Sequence, residues 1–281
     1  MINFNGTLSE NKQLLSTDNR GFTYGDALFE TLKVVHGKVL FWEDHYFRLM
    51  ASLRILRMEI PMYFTMEFLE EEVLKTLAAS GLSKETARVK LMVFRDSEGR
   101  YFPESNAVGY TIDAQVHDAP FYLFQETPYT IDLYKDFYVA PGLLSTLKTT
   151  NKVLHVTGSI YASENGFDNC LLLNTNKQVV EALNGNVFWV KGTTIKTPPL
   201  TDGCLKGIIR KQIIGILDSL KDTYEFEEAS LSPFELQQAD ELFITNVMVG
   251  IQPVTRYRKK EYRTEVSKML LAKLNAKARL G

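Results

Sequence analysis

The sequence predicts a mixed α/β (α+β) protein built from two domains. Helical periodicity and strand-like alternation both occur in each half of the chain. A length of 281 residues accommodates two domains of ordinary size. An irregular run with prolines at Pro120 and Pro128 lies between the halves. The expected division is an N-terminal α/β domain at 1–118, a linker at 119–128 and a larger C-terminal domain at 129–281.

Taken in order, residues 1–5 read as a short strand ending on the Asn5-Gly6 turn signal. Residues 27–35 and 38–42 flank His36-Gly37 and predict a hairpin. Residues 43–56 carry apolar side chains at helical spacing, with Asp44 near the positive end of the helix dipole. A second amphipathic helix is expected at 64–79, closed by Ser80-Gly81. Residues 88–95 and 107–114 alternate as half-buried strands do. Beyond the linker, strands are expected at 129–134, 170–173, 187–190 and 194–196, with a short strand ending on Glu181. Helices are expected at 151–164, 208–220, 233–238 and 265–276.

Composition narrows the function. With 45% apolar residues the chain can bury a sizeable core, and a net charge of -2 with pI near 6.1 gives no basic field for nucleic acid or an anionic membrane. The tail at 256–279 is locally basic, but acidic residues interrupt it, as on a solvated helix. Cys170 and Cys204 have no metal-type spacing and no disulfide framework, and Cys170 sits in an apolar run as a small core residue does. The N-terminus has neither a basic nor an apolar leader region, and no apolar run reaches membrane-spanning length. A soluble, cytoplasmic protein acting on a small molecule is the expectation, with no nucleic acid, membrane or metal partner.

The chemistry is expected in 143–189. Lys148 stands in a polar setting ahead of a helix, and on residue type alone it is a loop lysine with Lys152 as competitor. Glu181 ends an apolar strand and precedes a small-residue loop, as a rim charge or a carboxylate reaching a cleft. Gly207 precedes a helix whose first residues, Ile208 and Ile209, offer free backbone N–H groups to an anion, although the P-loop spacing is absent. Arg48, three residues after His45, either snorkels among aromatic neighbours or faces an anion. No zinc-protease, serine-hydrolase or EF-hand pattern occurs.

Several segments in order carry a resemblance. They are Asn5-Gly6, the run from Gly21 to Thr31 (GFTYGDALFET), HxxRL at 45–49, Lys148, Glu181 followed by Asn186-Val187-Phe188, Gly207-Ile208 with Arg210, and Ala239 to Phe243 ahead of Ile251-Gln252-Pro253-Val254. Together they resemble the class IV aminotransferase family, the fold type IV enzymes of pyridoxal 5'-phosphate (PLP). That family includes branched-chain and D-amino acid aminotransferases and aminodeoxychorismate lyase. The resemblance implies a smaller N-terminal α/β domain, a larger C-terminal α/β pseudo-barrel domain and a homodimer.

By position, the resemblance makes Lys148 the lysine that attaches the cofactor and moves the substrate proton, and its spacing to Glu181 favours it over Lys152. Glu181 matches the carboxylate beside the pyridine nitrogen, and an anion there keeps that nitrogen protonated. Arg48 matches the phosphate arginine, and the N–H groups of Ile208 and Ile209 the phosphate cradle. Two departures stand out. Val247 occupies a position where many aminotransferases of the class place a phosphate-binding Thr, leaving Asn246 or backbone groups as substitutes. Val153 occupies a position where branched-chain aminotransferases carry a Tyr.

The Thr245-Asn246 pair, the 185–192 run and Phe29-Glu30-Thr31 look more like the lyase than like branched-chain aminotransferases. The implied reaction releases pyruvate from 4-amino-4-deoxychorismate and leaves 4-aminobenzoate, a step of folate biosynthesis. The other implied activity is transamination of branched-chain L-amino acids or of D-amino acids. Phe29, Thr31 and Arg100 are the expected substrate-side residues for this amine and carboxylate chemistry; Arg95 and Arg100 otherwise read as a solvated hairpin pair.

Overall fold

The computed structural model describes residues 1–11 and 13–280; Gly281, the end of the expected second domain, lies outside them. Close contacts divide the chain into two units. The first joins Met1–Pro120 to Lys148–Asn151, and the second joins Phe121–Leu147 to Lys152–Leu280.

The first unit is built on one six-stranded sheet. Its strands are β1 (Ile2–Phe4), β2 (Thr7–Ser9), β3 (Ala27–Val35), β4 (Lys38–Val39), β5 (Thr86–Arg95) and β6 (Val108–Val116), ordered β2-β1-β6-β5-β3-β4. Each pairing is antiparallel. The helices are α1 (Arg20–Thr23), α2 (Trp42–Ile55) and α3 (Met66–Ala79). Alternation along the strands separates two faces. Leu28, Leu32, Val34, Val89, Leu91 and Val93 are buried on the face that α2 and α3 cover. Phe29, Thr31, Lys33 and their partners Met92, Lys90 and Arg88 occupy the other face. The strand expected to reach Trp42 stops at Val39, because Phe41 takes a left-handed conformation (φ 56) that turns the chain into α2. Helix α3 starts two residues later than expected, where the Thr65 hydroxyl accepts the Phe68 N–H at 3.1 Å.

The second unit holds two five-stranded sheets, β12-β11-β10-β13-β14 and β16-β15-β7-β8-β9. The strands are β7 (Thr130–Val139), β8 (Asn169–Asn174), β9 (Val179–Ala182), β10 (Asn186–Lys191), β11 (Thr194–Thr197), β12 (Glu225–Glu228), β13 (Glu241–Asn246), β14 (Gly250–Val254), β15 (Arg256–Tyr257) and β16 (Lys260–Glu261). One core draws on both sheets, from Leu133, Leu171 and Val179 on one to Val187, Ile244 and Val254 on the other. Outside it, α4 (Val153–Glu164) packs on β7 and β8, α5 (Ile208–Asp218) on β13, and α6 (Glu265–Leu280) on β14.

Strands β13 and β14 were outside the expected elements because almost every residue in them is buried, so neither shows alternation. The helix expected at 233–238 is a single 3-10 turn, Glu235–Gln237. Residues 121–128 belong to the second unit, where a free linker was expected. Tyr122 is buried; its N–H donates to Asn275 Oδ1 at 3.0 Å and its hydroxyl to the Val247 carbonyl at 3.1 Å. Gly250 (φ +71) makes room for it, since a Cβ there would lie 2.7 Å from the Tyr122 ring. Among the described residues no helix is long and apolar enough to cross a membrane.

Candidate active site

Lys148 is positioned by the edge of β3. Beyond its short pairing with β4, β3 presents unpaired backbone groups, and Lys148–Asn151 covers them. Phe29 N–H donates to the Lys148 carbonyl at 2.9 Å, and Thr150 N–H to the Ala27 carbonyl at 3.0 Å. Asn151 Nδ2 then donates to the Gly25 carbonyl at 3.1 Å. Only glycine fits at 25: its φ is +65, and a Cβ would stand 2.3 Å from Asn151 Oδ1. These bonds set the Lys148 ammonium over the Phe29 ring, 4.4 Å from its centroid. Lys152 opens α4 and belongs to the second unit.

Arg48 lies one turn beyond His45 on α2, and both meet Glu30, which projects from β3 toward that helix. Arg48 Nε donates to Glu30 Oε1 at 2.8 Å, and its Nη2 engages Oε2 in a fork. His45 Nδ1 lies 2.7 Å from Oε2. Burial pushes the Glu30 carboxyl up, but Arg48 and His45 together outweigh it and bring it down to about 2. Burial holds the His45 imidazole below its ordinary range despite Glu30. The arginine singled out as an anion ligand is thus a preset fork with its own buried counter-ion, and Glu30 was singled out by sequence only as part of a motif.

Phe29 and Thr31 stand half-buried on the sheet face away from α2. The same face carries two lysines that sequence reasoning passed over. Lys90, opposite Thr31, places its ammonium 5.2 Å from the Phe29 centroid, and burial with the neighbouring Arg88 lowers its pKa. Lys33 is 1% exposed, and burial lowers its pKa to about 8. The period-2 spacing of Phe29, Thr31 and Lys33 was the available signal. Arg100 has an exposed side chain, and its carbonyl receives Arg20 Nη1. Arg95 is buried instead of being half of a solvated pair: its Nε donates to Asp26 Oδ2 at 2.9 Å and its Nη1 to Asn106 Oδ1 at 2.6 Å.

In the second unit a bulge aims Glu181. Leu171 pairs with Ala182 and Leu172 with Glu181, but Leu173 pairs with Val179, so Val180 is the extra residue. Glu181 therefore shares the face of Leu172, which packs with Tyr134, Ala162 and Leu154 on the α4 side. From α4, His155 places Nε2 3.4 Å from Glu181 Oε1. The other carboxylate oxygen accepts the Leu205 N–H at 2.9 Å. Glu181 is buried, and each of its carboxylate oxygens has a polar partner. His155 was missed in the sequence because a lone histidine on a helix carries no pattern.

Helix α5 begins with Gly207 as N-cap and has no side-chain cap. Ile208 and Ile209 are buried, and no acidic residue occupies the first turn, so no carboxylate in that turn offsets the positive end of the helix dipole. At the end of β13, Asn246 Oδ1 accepts the N–H groups of Met248 at 3.0 Å and Val249 at 3.1 Å, so its acceptor atom builds the turn into β14. Val247 contributes its carbonyl to Tyr122 and no side-chain donor. Uncapped α5 and the carboxylate beneath its leading loop fit a phosphorylated pyridine cofactor. Among the described residues no cluster of histidine, cysteine or carboxylate side chains fits a metal ion.

The family model described as amino-transferase class IV matches residues 27–257. Aminodeoxychorismate lyase from Vibrio harveyi is 27% identical over 239 residues, covering 84% of this chain and 85% of that protein. A putative branched-chain-amino-acid aminotransferase from Methanocaldococcus jannaschii is 30% identical over 254 residues, covering 90% and 86%. In fold, the chain is similar to the branched-chain amino acid aminotransferase from Thermobaculum terrenum solved in its PLP form, with a TM-score of 0.85, 18% identity, and coverage of 99% and 93%. Matched along most of its length and similar to members that run different reactions, the chain belongs to the amino-transferase class IV family.

Proposed function

We propose that this enzyme holds PLP and eliminates pyruvate from 4-amino-4-deoxychorismate, leaving 4-aminobenzoate. The reading of the cofactor rests on Lys148 and Glu181. One is an amine 4.4 Å from the centroid of the Phe29 ring, the other a buried carboxylate with a polar partner at each oxygen. Lys148 would attach the cofactor and Glu181 would accept from its ring nitrogen. Arg48 and the Ile208 and Ile209 N–H groups would hold its phosphate. Bound PLP supplies an electron sink for the carbon next to the substrate amine. Lys148 would take the proton from ring C4 as the C3–O bond breaks; the enolpyruvate that leaves would gain a proton at its methylene carbon to become pyruvate, and the new C3–C4 double bond would make the ring aromatic.

The observation that carries the lyase over the aminotransferase is the end of β13. The Thr245-Asn246 pair resembles the lyase, and Asn246 closes the turn into β14 by accepting the Met248 and Val249 N–H groups. The Vibrio harveyi relative supports it. The second reading is transamination of branched-chain L-amino acids or D-amino acids; the Methanocaldococcus jannaschii relative, a putative branched-chain-amino-acid aminotransferase, favours its branched-chain form.

The deciding experiment incubates purified enzyme with 4-amino-4-deoxychorismate and no keto acid. Equal amounts of 4-aminobenzoate and pyruvate establish the lyase. Absence of both products, with amino-group transfer from leucine or D-alanine to the cofactor, replaces it by the aminotransferase.

A further inference from the structure

Asn186 opens β10 and is almost fully buried. Its Nδ2 donates to the Leu205 carbonyl at 2.8 Å, while the N–H of the same residue donates to Glu181 Oε2 at 2.9 Å. Leu205 is therefore held on both sides, its carbonyl by Asn186 and its N–H by Glu181. Gly207 turns back on this grip, its N–H donating to the Leu205 carbonyl at 2.8 Å, and α5 begins at the next residue. The fit is close: a Cβ on Gly207 would stand 2.0 Å from Asn186 Oδ1, a distance no side chain tolerates.

We propose that Asn186 is a positioning residue that, with Glu181, clamps Leu205 and so couples the ring-nitrogen carboxylate to the start of α5. Glu181 then has a second role. Besides facing the cofactor ring, it sets where the N–H groups of Ile208 and Ile209 point. Because Leu205 lies within three residues of Ile208, a tilt of its peptide plane passes directly into the first helical turn. The inference rests on the reading of α5 as the phosphate end of the cofactor site, and its test separates the two.

The test uses the full chain freed of cofactor, with inorganic phosphate as a probe that cannot reach for the ring carboxylate. Calorimetric titration is expected to show phosphate binding about five- to tenfold weaker in Asn186→Ala, the scale of one lost buried hydrogen bond. Glu181→Ala is expected to weaken it similarly, although Glu181 is not a phosphate ligand. Glu181→Gln keeps an acceptor for the Leu205 N–H and is expected to restore phosphate binding to the wild-type level, which general destabilisation would not do. Amide exchange across 205–209 should quicken in both alanine variants and not in Glu181→Gln.

Unchanged phosphate affinity in Glu181→Ala, or no rescue by glutamine, overturns the clamp. If Asn186→Ala does not fold, the two Glu181 variants decide alone. If wild-type protein binds neither phosphate nor PLP, the cofactor reading falls, and the exchange rates across 205–209 still support or overturn the clamp.

Discussion

Replacing Glu30 by glutamine keeps its shape and removes the carboxylate that Arg48 and His45 share in a buried cluster. The Glu30 carboxyl is lowered from 4.5 to about 2. At ~1.4 kcal/mol per unit, that difference corresponds to about 3 kcal/mol of stability at neutral pH. Loss of one partner from a buried pair costs a similar ~3–5 kcal/mol, because the Arg48 guanidinium loses the Glu30 charge that its fork engages. Urea unfolding at pH 7 should therefore place Glu30→Gln about 3 kcal/mol below wild type, with an unchanged denaturant slope.

The sign of the pH dependence follows from the direction of the shift. A depressed carboxyl contributes fully above 4.5 and loses that contribution as pH falls toward about 2. His45, lowered by burial, acts in the same sense: the fold prefers it neutral, so stability declines as pH drops below 6.5. If Arg48 also holds a phosphate, saturating PLP should stabilise Glu30→Gln more than wild type, since the ligand restores a negative partner. A loss under ~1 kcal/mol at pH 7 would refute the view that Glu30 is the buried counter-ion of Arg48.

Three further outcomes are expected. Lys148→Ala should abolish both product formation and the visible absorbance of covalently held cofactor, while Lys152→Ala keeps that absorbance; the reverse pattern would move the attachment point to Lys152. His155→Leu should weaken PLP binding about fivefold by removing the long bond to Glu181 Oε1, while His155→Gln retains a donor and most of the affinity, both measured by fluorescence titration. Lys33, lowered by burial from 10.5 to about 8, is better tolerated neutral, so wild-type stability should rise from pH 8 to pH 10. In Lys33→Met that rise should be smaller by up to about 2 kcal/mol in urea titrations at matched pH.

Sequence alone determined the parts of this protein that local periodicity encodes. The helices at α2, α3, α4, α5 and α6 and the alternating strands β3, β5 and β6 lie where apolar spacing placed them, within a few residues at their ends. Lys148, Glu181 and Arg48 stood out because their order along the chain matches a family pattern. Strands β13 and β14 escaped because complete burial removes the polar half of the alternation.

Only tertiary structure decided what surrounds those side chains. Lys148–Asn151 joins the first unit by covering the edge of β3, a pairing across more than a hundred residues that no local signal carries. Glu30 becomes the partner of Arg48 because strand alternation points it at α2, and His155 reaches Glu181 because one extra residue, Val180, shifts the register of β9. Asn186 and Gly207 fit each other within a Cβ's width. Residue types and their order suffice to nominate a catalytic lysine and a carboxylate. Their orientation depends on sheet register and close packing, which exist only once distant segments meet.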